Sequence, residues 1–166
     1  MSSLLKESGQ YKKTADKLLK KSNLTAVLKK YGDALFVGSY SANLMMAGDI
    51  DICVVKDKTF SIKNVFDAYK DIYFSTNKFF RSYFVHGDWD DPRLGNEFPN
   101  GRYVGLKTRI DGEKWKIDIW FLSKKEVLRL KKDYLNINEI KLSPRQKELI
   151  LRFKKYRQEN NREYYF

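Results

Sequence analysis

The chain has 166 residues, and its 33 Lys and Arg against 21 Asp and Glu give a formal net charge of +12. That length predicts about one domain. Hydrophobic residues make up 42% of the chain and aromatic residues 15%, which excludes a globally disordered protein because such chains are poor in both.

The absence of targeting segments from the sequence and its low cysteine content exclude further classes of protein. No segment approaches the roughly 18 apolar residues needed to span a bilayer, and the first residues lack the apolar stretch of a signal peptide. We therefore expect a cytoplasmic protein with no membrane partner. Cys53 and His86 are the single cysteine and histidine, which excludes an internal disulfide and a Cys/His zinc site. Any bound metal should be held by carboxylates.

The basic charge has two interpretations. A positive surface attracts phosphates and nucleic acids. Alternatively, the charge reflects a lysine-rich composition spread over solvated helix faces, because lysines greatly outnumber arginines and form no single block. The second interpretation is favoured, so a nucleic-acid partner stays open without being preferred.

The first half of the chain predicts helix, strand, turn and strand. Apolar residues recur at helical spacing from Lys12 to Tyr31, as one bent helix or two short ones. Ala34 to Val37 is a short apolar run that predicts a buried strand ending in a Gly38-Ser39 turn. A second strand is predicted from Asp49 to Val55, where polar and apolar residues alternate at first.

The second half predicts a helix capped by Ser61, a strand over Ser82 to His86 and a long loop over Gly87 to Gly101, whose role stays open. A hairpin follows, with strands over Arg102 to Ile110 and Lys114 to Leu122.

Two C-terminal helices are predicted over about 123–160, because Ser123 and Ser143 each have a Glu or Gln three residues later. The second of them is expected to bury four residues, which are Leu149, Ile150, Phe153 and Tyr156. The order of elements gives an α+β fold with a mixed sheet flanked by helices.

Two aspartates on the second strand carry the strongest chemical signal. Asp49 and Asp51 lie two residues apart, so their side chains point to the same face. Burying such a pair without a cation is costly, and Mg²⁺ removes that cost because it prefers carboxylate and phosphate oxygens. The alternative is a solvated pair of acids at a strand end, with Gly38 serving only the turn.

A third carboxylate favours the metal site. Asp118 lies in the aromatic and β-branched strand from Trp115 to Phe121, where alternation places it on one face with Lys116 and Trp120. An acid in such a strand indicates a face that meets a ligand.

These residues together resemble a known family. A hydrophobic residue, Gly38-Ser39, nine intervening residues and the run Asp49 to Ile52, followed by Asp118 on a later strand, resemble the DNA polymerase beta nucleotidyltransferase superfamily. The resemblance extends over about residues 24–121. It implies one nucleotidyltransferase-like domain over residues 1–166, with a core at about 24–122 followed by the C-terminal helices.

The resemblance also implies the roles of individual residues. Asp49, Asp51 and Asp118 would bind two Mg²⁺ ions, with Asp118 also helping to deprotonate the acceptor hydroxyl. Gly38 and Ser39 would hold the phosphates of a nucleoside triphosphate, and Lys116 is a further candidate nucleotide-binding residue. In such a transfer two metal ions would stabilise the attacking and leaving oxygens. Candidate cations for the leaving pyrophosphate are Lys107, Arg109 and Lys116.

The function expected from the sequence is therefore metal-dependent transfer of a nucleoside monophosphate, such as AMP from ATP, to a hydroxyl, with a small molecule as the preferred acceptor. The alternative is a minimal nucleotidyltransferase that modifies or binds a protein or RNA partner, in the manner of an antitoxin or a regulatory module. The sequence leaves open the acceptor, the nucleotide used and the oligomeric state.

Overall fold

The computed structural model describes residues 2–86, 99–130 and 141–160, and for residues 82–86 it describes the backbone alone. Most of the predicted 87–101 loop lies outside these ranges, as does the side chain of His86. None of the helices in the described ranges is long and apolar enough to cross a membrane.

Helices and strands follow the predicted order, except that a short helix begins at Gly38 where a turn was predicted. The helices are α1 (Ser3–Ser22), α2 (Leu24–Leu28), α3 (Gly38–Ser41), α4 (Ile62–Thr76), α5 (Lys124–Leu130) and α6 (Pro144–Asn160). The strands are β1 (Asp33–Val37), β2 (Gly48–Lys56), β3 (Ser82–His86), β4 (Arg102–Ile110) and β5 (Glu113–Ser123).

The N-terminal segment forms two helices instead of one bent helix. Ser2 caps α1, since its hydroxyl accepts a hydrogen bond from the Leu5 amide, and α1 therefore begins well before the predicted start. Asn23 ends α1 in the left-handed conformation with φ 56°, which breaks the helical path before α2.

The five strands form a mixed sheet in the order β1-β2-β5-β4-β3. Strands β2 and β5 are parallel and the other neighbouring pairs are antiparallel. Asp111 and Gly112 join β4 to β5 with φ values of 52° and 84°, as a two-residue hairpin turn requires. The predicted α+β class is confirmed.

The sheet has two unlike faces. The back face carries the alternate apolar residues of the central strands and packs against α1, α2 and α4. Its central side chains are fully buried: Ile50, Ile52, Ile117, Ile119 and Leu106. The front face carries the intervening residues and includes both predicted aspartates of β2. Helix α5 covers the part of the front face around Cys53 and Leu122.

Helix α6 packs on a different side from the one predicted. Leu149, Phe153 and Tyr156 are 62–69% exposed, whereas Leu151 is fully buried. The prediction is therefore wrong for those three residues, while Ile150 does pack against the small cluster around Leu151. The reason is tertiary, because the cluster also contains Leu4 of α1 and two residues of the segment between α3 and β2, Leu44 and Met46.

Candidate active site

Two neighbouring parallel strands, β2 and β5, bring the predicted carboxylates together. Asp51 of β2 lies opposite Asp118 of β5 in the parallel register, and Asp49 lies opposite Lys116. Because directly opposed residues of paired strands point to the same face, all of these side chains project from the front face. The back-face isoleucines set this register, since a slip of one residue would expose them.

The carboxylates converge closely enough to share a ligand. One oxygen from each of Asp49, Asp51 and Asp118 lies within 4.8 Å of the others, and all three residues are half-buried. The three acids therefore share one face of the sheet, although Asp118 lies 67 positions after Asp51 in the chain. The group could hold a metal ion.

Gly38 touches this group directly. It has φ +65°, and a Cβ atom at this position would lie 2.5 Å from Oδ2 of Asp51. Both facts favour glycine, since only glycine adopts this conformation without strain and leaves the carboxylate in place. The predicted turn is here the first residue of α3, and Ser39 follows it with its carbonyl accepting a hydrogen bond from the Leu44 amide.

Lys116 is the cation nearest the carboxylates. Its Nζ donates to Oδ2 of Asp118 at 2.9 Å and lies 3.3 Å from Oδ1 of Asp49. Burial lowers the pKa of this lysine, but the charges of Asp49 and Asp118 more than compensate and raise it to about 12. Lys116 therefore carries a full positive charge between two of the acids.

The protonation of the other two acids reflects their surroundings. Burial, followed by the negative charges of Asp49 and Asp118, raises the pKa of Asp51 to about 7. Burial also raises the pKa of Asp49, although Lys116 opposes the shift. These carboxylates are therefore short of positive charge, and a divalent cation would supply it.

One atom provides a separate test of whether a metal fits. Oδ1 of Asp49 is buried and accepts no hydrogen bond from the part of the chain that the structure describes. Lys116 Nζ lies 3.3 Å from this oxygen, which is near enough for charge attraction. A buried oxygen without a donor suits a cation ligand, so the residues present fit Mg²⁺.

Tyr103 is a site residue that sequence reasoning missed. Its hydroxyl donates to Oδ1 of Asp118 at 2.8 Å, and its ring lies 5.1 Å from that of Trp120. Gly105 lies opposite Asp118, and a Cβ there would be 2.6 Å from the Tyr103 hydroxyl. Burial and then the Asp118 charge raise the pKa of Tyr103, so its hydroxyl stays protonated and able to donate. Only the pairing of β4 with β5, which places Tyr103 on the same face as Asp118, could have identified this residue.

Lys154 is the second missed residue. It belongs to α6, and its Nζ donates to the Leu44 carbonyl at 3.0 Å. Burial lowers the pKa of Lys154, while the nearby charges of Asp49 and Asp51 oppose that shift. The C-terminal helix therefore brings a second cation toward the carboxylates. No local sequence pattern distinguishes this lysine from its neighbours on α6.

Comparisons with known proteins give little beyond this geometry. Neither the protein-family models nor the curated proteins contain a match. Among solved structures, a chain of the non-canonical poly(A) polymerase complex GLD-2–GLD-3 is similar, with 12% sequence identity and a TM-score of 0.43 over 73% of this chain. This chain spans 40% of the length of that chain.

Proposed function

We propose that the chain is a Mg²⁺-dependent nucleotidyltransferase that moves a nucleoside monophosphate from a nucleoside triphosphate to a hydroxyl acceptor. The observation that carries the proposal is the approach of Asp49, Asp51 and Asp118 to within 4.8 Å on one sheet face. The motif formed by Gly38-Ser39 and the two aspartates of β2 supports the same reaction through its resemblance to the polymerase beta superfamily.

The electrostatics of the group also favour a ligand-binding role. Three carboxylates face two lysines, Lys116 and Lys154, and one carboxylate oxygen is buried without a hydrogen-bond donor. Close acids that are not fully compensated destabilise a fold. Such an arrangement suits a site that is completed by cations with their bound phosphates, as nucleotidyl transfer requires.

In the proposed reaction, Asp49, Asp51 and Asp118 hold the Mg²⁺ ions. Bound Mg²⁺ would supply charge stabilisation for the phosphate oxygens. Gly38 and Ser39 bind the triphosphate beside Asp51, and Lys116 and Lys154 supply positive charge for the departing pyrophosphate.

Proton transfer falls to Asp118. The acceptor oxygen forms a bond to the α-phosphorus, the bond from that phosphorus to pyrophosphate breaks, and the acceptor proton passes to the Asp118 carboxylate. Both Asp118 oxygens accept hydrogen bonds here, from Tyr103 and Lys116. Lys116 must therefore release Oδ2 when the acceptor binds, while Tyr103 keeps the carboxylate oriented through Oδ1.

The experiment compares two acid-to-amide variants. Calorimetry with Mg²⁺ and each of the four common nucleoside triphosphates measures nucleotide affinity, and single-turnover assays with α-labelled triphosphate measure transfer to aminoglycosides, oligonucleotides and the chain itself. Asp51→Asn should lose both metal-dependent binding and transfer. Asp118→Asn should keep much of the binding and lose most of the chemical rate, because an amide cannot accept the proton.

Asp111→Asn is the matched control, since it makes the same chemical change in the exposed hairpin turn. It should bind and transfer as the wild type does. Saturating nucleotide with Mg²⁺ should also stabilise the wild type, by about 2.7 kcal/mol at 100 times Kd. Failure of all four triphosphates to bind with Mg²⁺ or Mn²⁺, or transfer by Asp118→Asn at the wild-type rate, would contradict the proposal.

A further inference from the structure

The edge of the sheet at β1 is open to another strand. In the sheet that the described residues form, β1 is the outermost strand and pairs with β2 along one side. Natural edge strands are blocked by lysine, proline or a bulge, because their outer backbone groups otherwise pair with other chains. The five residues of β1 contain neither lysine nor proline, and Asp33 at the first position is their only charge. They also pair with β2 in a continuous register without a bulge, so the outer backbone groups of β1 can accept an added strand.

A groove of about 680 Å³ lies on the front side of this edge, between β1 and α5, and we call it the front groove. Its apolar lining residues are Leu35, Val55, Val127 and Leu128. Leu35 points to the front, since its β2 partner Cys53 belongs to the front face, and it is 41% exposed. Leu128 is 64% exposed, and the lysine beside it in the lining, Lys124, is already paired with Asp57. Exposed apolar side chains that border one groove indicate a surface for apolar groups of a partner.

A second groove, of about 440 Å³, lies on the back side of the same edge, and we call it the back groove. Phe36 of β1 forms part of its wall, and the β2 partner of Phe36 is the core residue Ile52, which places this groove behind the sheet. The polar side chains that line it from α1, α2 and the residues flanking α2 are Asp16, Lys20, Asn23, Thr25 and Lys29. The two grooves along β1 therefore differ in chemistry, since the front one is largely apolar and the back one is largely polar.

The back groove also carries positive charge. Asp16 is already engaged by the ammonium of Lys12 and by the Tyr40 hydroxyl, which donates to it at 2.7 Å. Lys20 and Lys29 are exposed, and neither has an acidic partner within the ranges that the structure describes. Lys29 lines the front groove as well, so it stands beside the edge between the two grooves. Acidic side chains of a partner would complement these lysines.

We propose that β1 binds an extended segment of a partner protein in which apolar and acidic residues alternate. Successive side chains of a strand point to opposite faces of a sheet. A segment that pairs with the outer edge of β1 therefore directs its apolar side chains into the front groove and its acidic side chains toward Lys20 and Lys29. Main-chain hydrogen bonds hold such a sixth strand, and the two grooves select its side chains. This interaction is separate from the transfer reaction proposed above.

Other occupants fit the edge less well. A second copy of this chain would present Ala34 and Phe36 to the back groove, which are not acids, and would bring a further net charge of +12. A nucleic acid would satisfy the lysines, but it has no peptide groups to pair with the edge and no aliphatic side chains for the front groove. The combination of an open strand edge, an apolar groove and unpaired lysines favours an acidic peptide segment.

The first test uses a fluorescent eight-residue peptide in which Val and Glu alternate, with binding measured by anisotropy. A control peptide has the same composition arranged as four Val followed by four Glu, so it cannot direct apolar groups to one face and acids to the other. The alternating peptide should bind at least about tenfold more tightly than the control peptide. Equal binding of the two peptides, or no binding of the alternating one, would overturn the inference.

A second test asks whether the peptide pairs as a strand. In a strand, the amides of alternate residues point to opposite edges. N-methylation of every Val therefore removes the donors along one edge of the peptide, and N-methylation of every Glu removes those along the other. One of the two methylated peptides should bind as the unmodified peptide does, and the other should not bind. The same affinity for both would contradict pairing along one edge of the peptide.

Variants of the chain locate the binding site. Leu35→Lys blocks the edge with a charge, and Lys29→Glu reverses the charge between the grooves. Each should weaken binding of the alternating peptide about tenfold or more. The matched controls are Phe74→Lys and Lys70→Glu, which make the same changes at exposed positions of α4 and should bind as the wild type does. Affinities equal to those of the controls in both test variants would overturn the inference.

Sedimentation distinguishes the partner from a second copy. The chain alone should sediment as a monomer, and a dimer that Leu35→Lys dissociates would show that the edge is occupied by another copy and would overturn the inference. All of these measurements are made without nucleotide or metal. Their outcome is therefore independent of whether the chain transfers nucleotides.

Discussion

The two faces of the sheet are built from the same strands, but one face is apolar and buried and the other is charged. On the back face, alternate residues of β2 and β5 are isoleucines with no exposed surface. On the front face, the residues between them include three acids that converge and Lys116, which forms ion pairs with Asp49 and Asp118. One strand pair therefore supplies a core and a charged site at the same time.

The contrast shows how stability and chemistry are separated in a small domain. Burial of the back face stabilises the fold at about 25 cal/mol per Å² of apolar surface. The front face works against stability, because its carboxylates repel one another. Two pairs of cations also lie opposite each other on β4 and β5, Lys107 with Lys116 and Arg109 with Lys114. We expect substitutions on the two faces to change stability in opposite directions.

The largest expected effect is on the back face. Ile119→Ala should lower the free energy of unfolding by about 2–5 kcal/mol, because it leaves a cavity in a fully buried layer. Urea denaturation measures the change. Leu128→Ala, at a position on α5 that is 64% exposed, is the control and should change stability by no more than about 0.5 kcal/mol. A similar small loss for Ile119→Ala would mean that the back face is not the core.

A front-face substitution should have the opposite sign. The folded-state pKa of Asp51, about 7, exceeds its ordinary value of 3.8. The folded state therefore holds a proton that the unfolded state releases, so the penalty from this group grows as pH rises from about 4 to about 7 and is constant above. Asp51→Asn should be more stable than the metal-free wild type at pH 8, by about 1–3 kcal/mol, and the gap should close toward pH 4.

Thermal unfolding from pH 4.5 to 8 without divalent cations measures this difference. Asp111→Asn, the exposed acid-to-amide change, should track the wild type across the range. Added Mg²⁺ should stabilise the wild type at pH 8 and leave Asp51→Asn unchanged. An Asp51→Asn protein that is less stable than the wild type at pH 8 would show that the carboxylate is a structural partner instead of a source of repulsion.

The third prediction concerns the cation that α6 brings to the front face. Lys154→Met should weaken binding of a Mg²⁺-nucleoside triphosphate about tenfold, or about 1.4 kcal/mol, because it removes one charge near the phosphates while keeping the length of the side chain. Lys155→Met, at the exposed neighbouring position, is the control. Calorimetry measures the nucleotide affinity of the two variants. Equal affinities would show that Lys154 does not contribute to nucleotide binding.

The smallest effect is expected on the outer side of α6. Phe153→Gln should change stability by no more than about 0.5 kcal/mol, since this ring is 62% exposed. Leu151→Ala on the same helix should lower stability by about 2–5 kcal/mol, because its side chain is fully buried. Chemical denaturation of the two variants shows which side of α6 packs against the domain. A larger loss of stability for Phe153→Gln than for Leu151→Ala would support the packing predicted from sequence.

The elements with a strong local pattern were predictable. Alternation in β2 and β5 predicted the shared face of Asp49 and Asp51 and the orientation of Asp118, and the Asp111-Gly112 pair predicted the hairpin turn. Serine caps likewise predicted the starts of α4, α5 and α6, where Ser61, Ser123 and Ser143 accept hydrogen bonds from backbone amides. In each case the pattern and the contact lie within a few residues of each other.

Features set by distant contacts were not predictable. The packing side of α6 depends on Leu4 and Leu44, more than 100 positions earlier, so its own apolar spacing indicated the wrong residues. Tyr103 contacts Asp118 only because β4 pairs with β5 in this register, and the charge of Lys154 lies near the acids only because α6 docks on the segment around Leu44. The opposition of Lys107 to Lys116 and of Arg109 to Lys114 likewise follows only from the pairing of β4 with β5.

The parallel register of β2 and β5 also determines where the chain tolerates changes in length. The distance between Asp51 and Asp118 is set by their opposition across the sheet and not by the many residues that join them. Insertions in the loops between the intervening helices and strands should therefore leave the three carboxylates together. A single residue inserted within β5, just before Asp118, would turn that carboxylate toward the isoleucines and bring an isoleucine to the acids. Homologous chains should accordingly vary in length in these loops and keep the β5 strand free of insertions.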